Sequence, residues 1–211
     1  MGQKFASFSE PLTERSLHLC VDMQRLFSPE GPWPTPWMDR VLPVITEIAQ
    51  RHAPQTLFTR FIPPANPADM PGRWRHFFER WREVTRERLD PRFLDLVSPL
   101  DSLSPPALIV DKPVYSPFAG WRLPAILRER DVDALVVTGA ETDVCVLATV
   151  LGAVDQGYRV ILVTDAVCSS SDAGHEALLT LYHQRFSEQI ETATAEEVLS
   201  AWTPSPRIRA A

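Results

Sequence analysis

Short apolar segments alternate with longer segments of helical periodicity along most of this chain. The apolar segments predict buried strands at residues 17–21, 55–59, 107–110, 134–138, 159–164 and, more briefly, 189–191. Between them, apolar residues recur at spacings of three and four, which predicts helices at residues 39–52, 73–88, 121–130, 142–156, 172–186 and 194–202. Because strands and helices alternate, the pattern predicts an α/β fold in three layers, with a parallel sheet between helices.

These elements occupy one continuous region, residues 17–202, which we interpret as a single domain. We expect an irregular lead-in at residues 1–16 and a loose tail at residues 203–211. A chain of 211 residues is long enough to bury a full core in one domain. Its 20 prolines are about twice the usual share and concentrate in the loops after the first three predicted strands. Long loops at one end of an α/β sheet are the expected walls of a binding site.

Polar residues at the starts of three helices give local predictions. Asp39 is the expected N-cap of the first helix, which places Pro43 in the first turn, where proline is tolerated. Asp172 is the expected cap of its helix. Thr194 and Glu197 have the spacing of a capping box at the start of the last helix.

Composition and charge exclude several classes of protein. The net charge is −6, and the arginine-rich segment at residues 73–92 is interleaved with acidic residues, which argues against a nucleic-acid surface. We see neither the apolar run of a signal peptide nor one of ~18 residues that would span a membrane. The three cysteines are odd in number and widely spaced, which is typical of a reducing compartment. We therefore expect a cytoplasmic protein that binds neither nucleic acid nor membrane.

Three chemically active side chains follow predicted strands. Asp22 ends the first strand, Lys112 follows the strand at 107–110, and Cys145 lies at the start of the helix after the strand at 134–138. A helix N-terminus favours a thiolate, a carboxylate can take a thiol proton, and an ammonium can lower the thiol pKa. Each residue alone is also compatible with an inert thiol or a solvated loop. Because the ends of parallel strands meet in one crevice, their joint placement indicates a site.

Three segments of the chain resemble the isochorismatase-like cysteine hydrolase superfamily, which includes nicotinamidases, N-carbamoylsarcosine amidohydrolases and isochorismatases. The segments are Leu-Cys-Val-Asp-Met-Gln at 19–24, Asp-Lys-Pro-Val-Tyr-Ser-Pro-Phe at 111–118 and Val-Thr-Gly-Ala-Glu-Thr-Asp-Val-Cys-Val at 137–146. The resemblance covers residues 15 to 192, in the right order. It implies a Rossmann-like fold with a six-stranded parallel sheet, and assembly as a homodimer or homotetramer.

The resemblance also implies a role for each residue of the predicted site. Asp22 corresponds to the general acid and base, Lys112 to its charged partner and Cys145 to the nucleophile. A cis peptide bond is implied between Ala140 and Glu141. The backbone N–H groups of Glu141 and Cys145 would then form an oxyanion hole.

Two departures from the superfamily patterns narrow the expected chemistry. Metal-dependent nicotinamidases carry a histidine-containing cluster after the second strand, whereas residues 59–69 contain no histidine, so we expect no catalytic metal and no cofactor. Many isochorismatases lack the nucleophilic cysteine, whereas Cys145 is present. This favours hydrolysis of a C–N bond in a small amide or ureido substrate, through a thioester. The alternatives are vinyl ether hydrolysis, a non-catalytic relative, or a redox sensor with Cys20 or Cys168 as the resolving thiol.

Substrate contacts are expected from the loops. Arg60 is a candidate to bind a substrate carboxylate, with a surface ion pair as the alternative. An aromatic wall is predicted from Phe27, Trp33, Tyr115 and Phe118, with loop packing as the alternative. Trp74 and Trp81 are expected to lie in the core or in a subunit contact. His175 and His183 are expected to have structural roles.

Overall fold

A computed structural model describes residues 10–203, so most of the expected lead-in and tail lie outside the described residues. The fold is built on six parallel strands in the order β3-β2-β1-β4-β5-β6. The strands are β1 (Ser16–Val21), β2 (Thr56–Phe61), β3 (Leu108–Lys112), β4 (Ala134–Ala140), β5 (Arg159–Cys168) and β6 (Ile190–Ala193). The predicted six-stranded parallel sheet of an α/β protein is confirmed.

Helices cover both faces of the sheet. They are α1 (Met38–Arg51), α2 (Gly72–Arg80), α3 (Arg122–Glu129), α4 (Leu147–Asp155), α5 (Asp172–Gln184) and α6 (Ala195–Ala201). Successive side chains of a strand face opposite sides, and in β1 Leu19 joins the core that includes α3 and α4, whereas Cys20 joins the core that includes α1 and α6. Within residues 10–203, no helix has both the length and the apolar character needed to span a bilayer.

The strand order reverses beside β1. The chain runs outward from β1 through β2 to β3, and then returns to place β4 on the other side of β1 before continuing to β5 and β6. Loops after β1 and β4 therefore leave the sheet in opposite directions and open a crevice between them. Ligands of open α/β sheets bind at such a point, outside the carboxyl ends of the strands.

The predicted helix at residues 73–88 is shorter in the structure. It begins at Gly72 and ends at Arg80, because Trp81 adopts φ −104° and ψ 47° and leaves the helical conformation. A short 3-10 turn, Arg82–Val84, follows. The aromatic periodicity of this segment therefore reflects packing of a helix and the turn after it, rather than one continuous helix.

Two of the predicted helix caps are wrong. Helix α1 begins at Met38 rather than after Asp39, because the carbonyl of Trp37 already accepts the N–H of Val41 at 3.3 Å, and Pro43 consequently lies inside the helix. Helix α5 is capped by Ser171, whose Oγ accepts from the N–H of Gly174 at 3.0 Å, and not by Asp172. The capping box of Thr194 and Glu197 is confirmed.

Candidate active site

A buried ion pair lies at the crevice beside β1. Lys112, the last residue of β3, donates a hydrogen bond of 2.6 Å from Nζ to Oδ2 of Asp22, the residue that follows β1. Both side chains are almost completely excluded from solvent. To reach Asp22 from the edge strand, Lys112 passes Phe61 of β2, with Nζ 5.3 Å from the ring centroid, and it donates a second bond to the carbonyl of Val114.

Asp22 is held in place by Thr59 of β2. The hydroxyl of Thr59 donates to Oδ1 of Asp22 at 2.6 Å, while its oxygen accepts the backbone N–H of Asp22 at 3.2 Å. Asp22 has a positive φ of 49°, which a residue other than glycine adopts only when its surroundings require it. The two carboxylate oxygens thus have different partners, Thr59 on one and Lys112 on the other.

The thiol of Cys145 lies close enough to this ion pair that the charges of both Asp22 and Lys112 act on its pKa. Burial raises the pKa of Cys145 well above its usual value, the charge of Asp22 raises it further, and Lys112 lowers it only in part. The expectation that the helix start favours a thiolate is therefore wrong for the free protein. Cys145 lies in a π-helical turn, Thr142–Val146, before α4 begins, and its burial outweighs the nearby positive charge.

Lys112 keeps its charge in this environment. Burial lowers its pKa, but the negative charge of Asp22 and the nearby Cys145 outweigh the burial, and the pKa is raised overall. The raised pKa values of both groups favour a charged ammonium on Lys112 and a protonated thiol on Cys145 near neutral pH.

The end of β4 approaches β1 closely at Gly139. This residue has φ 113°, and a Cβ here would lie 2.1 Å from the carbonyl oxygen of Val21. One residue further on, the peptide bond between Ala140 and Glu141 is cis, at the position that the resemblance implied. Only glycine allows β4 to turn beside Val21, and this turn carries the chain from the sheet into the segment that contains Cys145.

A cleft of about 430 Å³ opens above Cys145. One side is an aromatic wall formed by Phe27, Trp33, Phe61, Phe77, Trp81 and Tyr115. Trp33 is central to this wall, with ring centroids 5.9 to 6.1 Å from those of four of its neighbours. Glu141, Val144 and Ser170 line the cleft together with Cys145.

Three of the predicted substrate-contact residues line the cleft, namely Phe27, Trp33 and Tyr115, and two do not. Arg60 instead forms a two-bond ion pair with Asp111, at 2.7 and 3.0 Å. Since side chains alternate along β2, Thr59 and Phe61 face the site and Arg60 faces away.

Phe118 is the other residue that does not line the cleft. Its ring packs near Tyr158, with centroids 6.2 Å apart, and beside Gly152 of α4. Phe118 thus belongs to the core on the α3 and α4 side of the sheet.

Several site residues were missed in the sequence. Phe61 lies two residues after Thr59 on β2, and side chains at this spacing face the same side of a sheet. The strand pattern therefore contained the information needed to place Phe61 at the site. Trp81 was assigned to the core or a subunit contact but lines the cleft. No sequence signal indicates Ser170, which reaches the cleft from the loop after β5.

The remaining histidines and cysteines lie outside the cleft lining. His175 is buried with Nδ1 2.9 Å from Oγ1 of Thr142, and His183 lies 3.1 Å from Oγ1 of Thr192. Burial raises the pKa values of Cys20 and Cys168 to about 12. Within residues 10–203, no three His, Cys, Asp or Glu side chains are grouped so as to hold a metal ion.

With this geometry established, comparison with known proteins assigns the chain to a family. The isochorismatase domain family matches residues 16–194, so the chain belongs to the isochorismatase family. The chain is 35% identical over 86 residues to the uncharacterized isochorismatase family protein PncA of Bacillus subtilis. That match covers 41% of this chain and spans about half the length of the relative, 47%.

Two further similarities cover more of the chain. Nicotinamidase 3 of Arabidopsis thaliana is 28% identical over 172 residues, which is 81% of each protein. The crystal structure of a cysteine hydrolase from Pseudomonas syringae pv. phaseolicola 1448A has a TM-score of 0.79 at 26% identity, and covers 96% of this chain and 100% of that chain. The fold is therefore that of isochorismatase-like hydrolases.

Proposed function

We propose that this protein is a cysteine hydrolase that cleaves the C–N bond of a small amide or ureido substrate through a thioester on Cys145. The observation that carries the proposal is the buried ion pair of Asp22 and Lys112, whose charges act on the thiol of Cys145 at the cleft. A nucleophile within reach of a base that is itself oriented by a third group is the general arrangement of covalent catalysis.

Acylation begins with proton transfer from Cys145 to Asp22. Because the raised pKa keeps the thiol protonated, this transfer accompanies attack of Sγ on the substrate carbonyl carbon. The carbonyl oxygen becomes an oxyanion and accepts hydrogen bonds from the backbone N–H groups of Glu141 and Cys145. Loss of one such donor typically costs ~3 kcal/mol in the transition state.

The C–N bond then breaks, and Asp22 returns the proton to the leaving nitrogen, which departs as ammonia or an amine. Water attacks the remaining thioester while Asp22 takes a proton from it. The second intermediate expels Sγ, which regains a proton from Asp22, and the acid product leaves. Lys112 stays protonated throughout and stabilises the carboxylate whenever Asp22 is ionised.

The comparisons support C–N chemistry over the other interpretations. One relative is named as a nicotinamidase and the structural neighbour as a cysteine hydrolase. Vinyl ether hydrolysis by the carboxylate alone would give the thiol no role. A redox function would need a resolving thiol, whereas Cys20 and Cys168 are buried with raised pKa values and do not line the cleft.

A screen of small amides and ureas for ammonia release tests the proposal. The wild-type protein is expected to release ammonia from at least one of them, and Cys145→Ala is expected to release none above the uncatalysed rate. Cys168→Ala, which also removes a buried thiol, is the matched control and is expected to retain activity. A covalent adduct on Cys145, seen by intact mass after rapid acid quench, would identify the thioester; equal release by Cys145→Ala would overturn the proposal.

Assembly and location are further parts of the proposal. The family resemblance supports a homodimer or homotetramer, and the three free thiols are compatible with a reducing cytoplasm. Light scattering on the eluted peak of a gel-filtration column measures the oligomeric state. A monomer at micromolar concentration would contradict the proposed assembly.

A further inference from the structure

One charged side chain lines the cleft among the described residues, and it is Glu141. The rest of the lining is apolar or uncharged, apart from the thiol of Cys145. A substrate that reaches Cys145 therefore lies beside the aromatic wall and the residue that carries this carboxylate.

The carboxylate of Glu141 is fixed by the loop after β5. Its Oε2 accepts the backbone N–H of Ser170 at 2.8 Å and the hydroxyl of Ser170, and the hydroxyl of Ser169 lies at 3.5 Å. These bonds hold the carboxylate against Ser170, which also lines the cleft. Its charge also reaches Tyr115 in the aromatic wall, because burial first, and then Cys145 and Glu141, raise the pKa of that phenol.

Two cations that could have paired with an anionic substrate are already engaged. Lys112 is buried and bonded to Asp22 at 2.6 Å. Arg60 is bonded to both oxygens of Asp111 and does not line the cleft. A substrate carboxylate in the cleft would therefore be repelled by the charge of Glu141. Neither Lys112 nor Arg60 would be available to pair with it, because each is already bonded to an aspartate.

We propose that the cleft selects its substrate by charge, so that it accepts a neutral or cationic amide with a flat apolar part and rejects one that carries a carboxylate. Glu141 is the specificity-determining residue, and the aromatic wall binds the apolar part. The faces of tryptophan and tyrosine favour flat rings and cations and offer nothing to an anion. This inference rests on the proposed function and narrows it, since it removes ureido acids and acidic amides from the substrates.

Three probes that differ only in one substituent test this inference: benzamide, 4-carbamoylbenzoate and 4-(aminomethyl)benzamide. Binding is measured first by calorimetry on Cys145→Ala, which separates charge selection from hydrolysis. Benzamide and the aminomethyl probe are expected to bind, and the carboxylate probe is expected to bind at least about tenfold more weakly, because like charges repel in a partly desolvated cleft.

Glu141→Gln in the same background removes the charge and keeps a hydrogen-bond acceptor for Ser170. It is expected to reduce the discrimination against the carboxylate probe several-fold and to weaken binding of the aminomethyl probe. Glu129→Gln, which removes an exposed carboxylate at the end of α3, is the matched control and is expected to leave the ratios unchanged. Arg60→Gln is expected to leave them unchanged as well.

Several other outcomes would overturn the charge selection, and one would count against the hydrolysis alone. Equal or tighter binding of the carboxylate probe contradicts it, and so does a loss of that binding in Arg60→Gln, which would restore the role first assigned to Arg60. Equal weakening of all three probes by Glu141→Gln would show that Glu141 only positions the loop. No binding of any probe at millimolar concentration would contradict the aromatic site itself. Binding with the expected charge order but no ammonia release by the wild type would instead count against the proposed hydrolysis.

Discussion

Thr59 donates a hydrogen bond of 2.6 Å to Oδ1 of Asp22, and Lys112 donates one of 2.6 Å to Oδ2 of the same carboxylate. The proposed base is therefore held at both oxygens by neighbours on two strands, β2 and β3. Thr59 also accepts the backbone N–H of Asp22, so it fixes the main chain and the side chain together. Thr59 is thus a positioning residue for the base.

Replacing Thr59 by valine tests this role, because valine has the same shape and lacks the hydroxyl. We expect kcat to fall about ten- to a hundredfold, since a hydrogen bond to a charged group contributes roughly 1.5–3 kcal/mol. KM should change little, because Thr59 does not line the cleft. Thr59→Ser keeps the hydroxyl and is expected to restore most of kcat. A rise in KM at unchanged kcat would contradict a role in positioning the base.

The charges around Cys145 predict opposite shifts in its reactivity. Asp22 raises the pKa of the thiol and Lys112 lowers it. The midpoint of the iodoacetamide reaction against pH should therefore move to lower pH in Asp22→Asn and to higher pH in Lys112→Met. Hydrolysis should nevertheless fall by at least about a hundredfold in Asp22→Asn, because the general base is lost.

Cys145→Ala provides the blank for these titrations, since it identifies the labelling that comes from Cys20 and Cys168. A midpoint that moves in the same direction in both variants would contradict the opposing effects of the two charges. Retained hydrolysis in Asp22→Asn would remove the carboxylate from the mechanism.

The architecture and the grouping of Asp22, Lys112 and Cys145 were accessible from the sequence because both depend on local patterns. Asp22, Lys112 and the segment before Cys145 each come at the end of an apolar strand in the sequence. Parallel strands bring their carboxyl ends together, so these residues were expected to meet. The length of α2 was not accessible, because Trp81 leaves the helix to pack in the aromatic wall. Helix propensity does not register such tertiary contacts.

The errors at the site have two physical causes. Arg60 was assigned by its position after a strand, without the alternation that turns it toward Asp111. The thiol of Cys145 was expected to ionise easily because the helix start was considered and the burial was not. Burial depends on loops from distant parts of the chain, as does the contact between Glu141 and Ser170, and a single sequence does not show how such loops meet.

The burial of His18 leads us to expect that the free energy of unfolding falls in acid. It is fully buried on β1, with Nε2 2.8 Å from Oγ1 of Thr138 and Nδ1 3.2 Å from Oγ1 of Thr56. Burial, followed by the charge of His52, lowers its pKa from 6.5 to about 3. The unfolded chain therefore binds a proton that the folded protein does not, and the stabilisation present above pH 6.5 is lost as the pH falls toward 3.

The expected slope is about 1.4 kcal/mol per pH unit for one proton. In His18→Asn the free energy of unfolding should depend less steeply on pH, by about one bound proton, whatever the absolute stability of the variant. Urea denaturation at several pH values across this window measures the slope. An unchanged slope would show that His18 can be protonated without unfolding.

Gly139 gives the last prediction, because the close approach of β4 to β1 depends on it. In Gly139→Ala the new Cβ would lie 2.1 Å from the carbonyl oxygen of Val21, at a φ of 113° that alanine rarely adopts. The strained backbone alone costs of order 1–3 kcal/mol, and the displaced Val21 directly precedes Asp22. We therefore expect a lower free energy of unfolding and a lower kcat together. Gly120→Ala is the matched control, since its φ is −98° and the nearest atom to a new Cβ is 3.9 Å away. If chemical denaturation gave the same stability for both variants, the approach of the two strands would not require glycine at position 139.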